Sequence, residues 1–128
     1  MVISVKGIGQ FHTFDFDVMK IELNVYRCHL AEQICPASKN ECEMAIAEKR
    51  APKLDTFRSQ FRDGEYLFLT CPYDKTFTAD ECFDIYTDIR RFSVDDRSVM
   101  GGWTSIHEHF VKLFNYCSTG AKGARFMI

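Results

Sequence analysis

No stretch of this chain approaches the ~18 consecutive apolar residues of a membrane span, and its start, MVISVKGIGQ, lacks the charged opening and continuous apolar run of a secretory signal. The expectation is a cytoplasmic protein that does not contact membranes. A basic surplus is missing too: 16 Lys and Arg against 18 Asp and Glu leave a net charge of −2. That excludes the overall footprint of most nucleic-acid binders, and any nucleic-acid contact would have to come from a local patch. No repeat or low-complexity segment interrupts the 128 residues, so a single domain spanning 1–128 is expected.

Closely spaced cysteine pairs are absent as well. The six cysteines, Cys28, Cys35, Cys42, Cys71, Cys82 and Cys117, include no two that lie two to four residues apart, the spacing with which a structural zinc site normally begins. His107 and His109, two apart on a helix, point about 200° away from each other and do not share an ion. In a reducing compartment the cysteines are expected as thiols, with Cys82 and Cys117 at apolar helix positions. The glycine-rich places, Gly7-Ile8-Gly9 and residues 118–123, match neither a P-loop nor a dinucleotide fingerprint and are read as turns. No metal and no cofactor is expected.

What the chain does have is material for a dense core, 46% hydrophobic residues and twelve Phe. The strongest local signal is Thr78 to Phe92, TADECFDIYTDIRRF. Thr78 and Glu81 have the spacing of a capping box, and Phe77 and Cys82 that of a hydrophobic staple. Asp80 and Glu81 at the positive end, with Arg90 and Arg91 at the negative end, oppose the helix dipole. Cys82, Phe83, Ile85, Tyr86, Ile89 and Phe92 mark the buried face of this helix, leaving Asp80, Asp84 and Asp88 in a row outside.

Around that helix, Val2–Lys6 and Phe11–Val18 form a hairpin, the second strand alternating Phe14, Phe16 and Val18 with Thr13, Asp15 and Asp17. Ile21, Leu23 and Val25 continue an alternation whose phase slips at Val18–Met19, which predicts a bulge or tight turn followed by a strand to about Arg27. Met19, Leu23, Tyr26, Leu30 and Ile34 also fit helical spacing, so residues 20–34 stay open between the two. Ser38 with Glu41 and Ser105 with Glu108 suggest two more capped helices, the first running to about Arg50 and the second burying Ile106, Phe110, Leu113, Phe114 and Cys117. Pro52 precedes a short helix. Asp63-Gly64 reads as a turn, and Glu65–Cys71, apolar on both parities, as a central strand. The residues from Arg125 to Ile128 are a candidate last strand. The fold class is α+β: a small antiparallel sheet, the N-terminal hairpin plus strand 65–71, covered by three or four helices.

For function, two charged surfaces stand out. The acidic one is Asp80, Asp84 and Asp88, extended by Asp95 and Asp96. Its carboxylates recur about 6 Å apart, near the spacing of phosphates along a nucleic-acid strand, which suits a protein partner with a basic groove. The leading expectation is a small non-catalytic protein that blocks a nucleic-acid-binding surface, by analogy with inhibitors carried by phages and mobile elements. An alternative is a nucleic-acid-binding module using the basic segment 49–62 through Lys49, Arg50, Lys53, Arg58 and Arg62. A third is a small thiol- or metal-dependent enzyme, for which Cys71 beside His12 is the most suggestive thiol pair and Asp15 with Asp17, or Asp95 with Asp96, a pair of carboxylates for a cation.

Overall fold

The computed structural model describes residues 1–9, 13–92, 103–119 and 123–128. Four strands form one antiparallel sheet in the order β2-β1-β4-β3: β1 Val2–Ile8, β2 Thr13–Met19, β3 Thr76–Phe77 and β4 Gly123–Met127. Five α-helices are described with it: α1 Lys20–Ile34, α2 Lys39–Glu48, α3 Asp63–Thr70, α4 Ala79–Ile89 and α5 Trp103–Ser118. The class is α+β, as the alternating hairpin and the capped helices suggest.

The hairpin follows its period-two pattern. Ile3, Val5 and Val18 are buried, while Lys6, Asp15 and Asp17 lie outside, with Asp15 directly across from Lys6. Gly7 is inside β1, not in the turn. A Cβ there would stand 2.7 Å from Cys117 Sγ and 3.0 Å from Leu113 Cδ1. The glycine is what lets α5 lie close on the sheet.

Residues 20–34 are a helix. The phase slip at Val18–Met19 is neither a bulge nor a turn between strands but the point where period two gives way to 3.6, with Met19 still extended and Lys20 already helical. Leu23, Tyr26 and Leu30 are buried as helical spacing requires, and so are the polar residues Glu22, Asn24 and Arg27. A helix buried on most sides has no single apolar stripe, which is why the strand pattern competed there.

The expected central strand 65–71 is also a helix, α3. Asp63 and Gly64 are its first two residues rather than a turn, and Glu65 reaches back to accept the Arg62 backbone N–H at 2.8 Å. A short apolar run does not distinguish a buried strand from a buried helix by period alone. The place given to it in the sheet is taken by β4, which pairs with β1 from Ser4↔Met127 to Ile8↔Gly123, and by the short β3 beyond it.

Of the three expected capping boxes, the one at Thr78 forms: Glu81 N–H donates to Thr78 Oγ1 at 3.2 Å, and Thr78 N–H to Glu81 Oε1 at 2.9 Å. Ser38 instead donates its hydroxyl to the Cys35 carbonyl at 2.8 Å, and Ser105 lies inside α5, which starts at Trp103. The segment after Pro52, Asp55–Gln60, is a 3₁₀ helix.

An aromatic cluster joins the layers. Phe68 of α3 packs edge-on against Phe110 and Phe114 of α5 at 5.0 and 5.5 Å between ring centroids, and Phe77 and Phe126 continue it onto the sheet at 5.3 Å. Tyr26 stacks on Phe110 at 6.0 Å. Each such pair adds about 0.5–1.5 kcal/mol beyond the area it buries. Phe110, Leu113, Phe114 and Cys117 form the buried face of α5, with Ile106 at its edge.

Candidate functional site

The outer face of α4 carries the acidic row, and the structure divides it. Asp80 and Asp84 are exposed and make no hydrogen bond or ion pair among the described residues. Asp88 is half-buried and accepts the backbone N–H of Gly64 at 2.8 Å. That N–H is one of the first-turn donors of α3 that has no partner within its own helix, so Asp88 acts as a cap supplied by a neighbouring element. Nearby, Glu65 is almost fully buried and pairs with Arg91 just past the end of α4. The row of three is therefore two carboxylates without a partner among the described residues and one that helps to hold α3 against α4. Asp95 and Asp96 lie outside the described residues.

A residue assigned to the core changes the character of this face. Phe83 is 55% exposed, although the pattern put it on the buried side of α4. Cys82, Ile85 and Ile89 already fill that side, and Phe83 falls beyond its edge, one turn after Asp80. A helix surface with a bare aromatic ring one turn from the Asp80 carboxylate, and Asp84 further round on the same outer side, has an apolar anchor and steering charge together.

The basic segment is largely committed inside the fold. Arg50 spans Glu41 at 2.9 Å and Glu48, and this pairing, with the Lys53 N–H at 3.1 Å, holds the Glu41 carboxyl below its ordinary range. Arg58 pairs with Asp63, donates to the Phe61 carbonyl at 2.9 Å and lies over the Tyr66 ring. Lys49, Lys53 and Arg62 remain exposed. Nucleic-acid contact would thus rest on three cations rather than five.

The thiols are placed away from solvent. All six cysteines are free and buried. Cys71 follows α3, and burial pushes its thiol upward, the opposite of what a nucleophile needs. His12 lies outside the described residues, and among those described no three His, Cys, Asp or Glu side chains converge as a metal site would require. Asp15 and Asp17 lie on the exposed face of β2.

Three features gave no warning in the sequence. Arg27 is fully buried on α1, and its Nη1 donates to the carbonyls of Phe68 at 3.2 Å and Cys71 at 2.8 Å. The guanidinium thus sits at the negative end of α3 and serves the carbonyls that the helix leaves unpaired. His107 is buried between Tyr26, whose hydroxyl donates to Nδ1 at 2.6 Å, and the Phe92 carbonyl, which accepts from Nε2 at 3.0 Å. The third is a cleft of about 270 Å³ beside the start of α1, lined in part by Lys20, Asn24, Lys49 and Tyr73.

No helix among the described residues is long and apolar enough to cross a membrane. The chain matches no protein-family model, no curated protein and no solved structure, so its function rests on the geometry of these surfaces.

Proposed function

We propose that this is a small non-catalytic binding protein that docks the outer face of α4 into a basic-rimmed groove of a protein partner. The observation that supports this reading is Phe83, 55% exposed one turn from Asp80 on a helix that is otherwise well packed, with Asp80 and Asp84 both exposed and without a partner among the described residues. An exposed aromatic side chain adds little to folding, but in a partner's pocket it contributes strongly, because aromatic anchors dominate interface energies. Asp80 and Asp84 speed the encounter with a positive surface and reject a negative one.

With Asp88 engaged by Gly64, mimicry of a run of phosphates has two members in place of three. The ring of Phe83 supplies the anchor that the shortened row no longer provides. A groove that normally holds nucleic acid remains the target this surface fits best, which makes the protein an inhibitor of a nucleic-acid-binding partner.

The test is capture of partners from the native host with the wild-type protein and with a Phe83→Ser, Asp80→Asn, Asp84→Asn variant as baits. Expected is a basic protein retained by the wild type, lost with the variant, and released from the wild type by added duplex DNA. The melting temperature of the variant should match that of the wild type, since exposed substitutions usually shift stability by within about 0.5 kcal/mol. Equal retention by both baits would end this reading.

A further inference from the structure

The cleft at the start of α1 shares no residue with the α4 surface and needs its own account. Its walls come from segments far apart in sequence: Met1 precedes β1, the β2–α1 junction gives Met19, Lys20 and Ile21, the end of α2 gives Ile46 and Lys49, and the loop after α3 gives Tyr73. At about 270 Å³ it falls just below the ~300–1,000 Å³ of drug-sized ligand sites, so it suits an occupant about the size of one amino-acid residue.

Three kinds of lining group limit what that occupant is. The first is charge: Lys20 and Lys49 are the charged side chains of the lining, and no Asp or Glu is among the lining residues. Lys20 Nζ sits 4.6 Å from the centre of the Tyr73 ring, and the buried Arg27 guanidinium lies over the same ring at 5.2 Å. The site is electropositive and asks for an anion.

The second is an orphan acceptor. Asn24 is only 3% exposed, donates Nδ2 to the Ala45 carbonyl at 3.2 Å, and has no partner for Oδ1 among the described residues. A buried acceptor left unpaired costs about 1–3 kcal/mol, which a donor on the ligand would recover. The third is the apolar wall: Met19 and Ile21 are more than a third exposed, Ile21 at 53%, with Ile46 beside them.

A carboxylate, an N–H donor next to it and an apolar side chain occur together at the C-terminus of a peptide ending in an aliphatic residue. We infer that this cleft captures such a C-terminus, with the carboxylate between Lys20 and Lys49, the terminal N–H on Asn24 Oδ1, and the side chain against Met19, Ile21 and Ile46. A simple fatty acid would satisfy the lysines and the wall but leave Asn24 unpaired. C-terminal carboxylate capture is a recurring mode of peptide recognition.

Lys49 makes the inference testable. It holds φ 57° as the C-cap of α2, a left-handed position that normally goes to glycine. If Lys49 were only a cap, glycine would replace it with profit.

The experiment follows backbone amide shifts by NMR while N-acetyl-leucine is titrated into the wild type and into Lys49→Gly and Lys20→Gln. Expected is saturable binding with shifts centred on Met19–Asn24 and Lys49, about tenfold weaker for the uncharged N-acetyl-leucinamide. Lys49→Gly should raise the denaturation midpoint while weakening N-acetyl-leucine about tenfold, and Lys20→Gln should weaken it with no change in midpoint. Absence of saturable shifts at these residues overturns the inference, and so does equal binding of the acid and its amide. Decanoate binding as tightly as N-acetyl-leucine overturns it as well, because Asn24 would then not be read. Capture by anionic vesicles without binding of the acid would make the surface a lipid contact and also overturn it.

Discussion

Two helices, α1 and α4, use opposite solutions to the same problem of packing a charged sequence into a small domain. In α4 the polar side chains face out or reach to a helix end, and Cys82, Ile85 and Ile89 face in. In α1 the interior includes Glu22, Asn24 and Arg27 along with Leu23, Tyr26 and Leu30. The outer helix owes its position to a stripe, the inner one to neighbours on several sides, with Arg27 ending α3 and Tyr26 meeting His107 of α5. Burial of polar groups in α1 is compensated in part: the carbonyls at the end of α3 accept from Arg27 and that of Ala45 from Asn24, while Asn24 Oδ1 and Arg27 Nε and Nη2 have no hydrogen-bond partner among the described residues. Each helix also leaves one apolar side chain in the open, Ile21 at 53% on α1 and Phe83 at 55% on α4, and the two binding surfaces proposed above are built on them.

The sharpest way to break the comparison is to truncate one apolar residue on each helix. Leu23→Ala in α1, where the side chain is fully buried, should cost about 2–5 kcal/mol in urea denaturation. Phe83→Ala in α4 should change stability by no more than about 0.5 kcal/mol. Equal losses would mean that Phe83 is structural and that the α4 face is an ordinary surface. A middle effect belongs to the junction of α3 and α4. A Cβ on Gly64 would collide with the Asp84 carbonyl and crowd Asp88 Oδ2 at 2.7 Å. Gly64→Ala should therefore cost about 1–3 kcal/mol, the usual range for overpacking. A neutral outcome would show that α3 is free to move away from α4, and Asp88 would then be available to a partner.

How much of this was legible follows the same division. The cap of α4 and the hairpin alternation could be read because each is a local pattern with a local cause. Residues 20–34 and 63–70 could not, because a segment enclosed by other elements loses the alternation of wet and dry faces that a one-dimensional pattern needs. Ser38-Glu41 and Ser105-Glu108 had the spacing of caps, yet Ser38 turned to the Cys35 carbonyl and Ser105 fell within the first turn of a helix that begins earlier. At the site, Asp80 and Asp84 were identifiable as exposed. The engagement of Asp88 depended on Gly64, twenty-four residues away, and the exposure of Phe83 on how much of the inner face its neighbours already filled. The cleft joins four separate segments, around Met1, Met19–Asn24, Ile46–Lys49 and Tyr73, and had no signature in the chain at all.

The smallest expected effect tests the polar interior of α1 by pH. Burial holds the His107 imidazole below its ordinary value of 6.5, outweighing the Phe92 carbonyl and Glu108, which favour the charged ring. The neutral ring suits its partners: Nδ1 accepts from the Tyr26 hydroxyl while Nε2 donates to Phe92. Protonation would put a second donor opposite that hydroxyl. Because the native pKa is depressed, the unfolded chain takes up the proton first as pH falls. The contribution of His107 is thus full above about 6.5 and is lost as pH drops toward the native value. One proton limits this slope to about 1.4 kcal/mol per pH unit. Urea midpoints measured between pH 7.5 and 5.5 should fall more steeply for the wild type than for His107→Gln, which keeps a donor and an acceptor but does not titrate. Parallel slopes would mean that the native ring takes up its proton as readily as the unfolded chain does, and the contact between α1 and α5 would then rest on the aromatic packing of Tyr26 and Phe110 rather than on a hydrogen bond that needs the neutral ring.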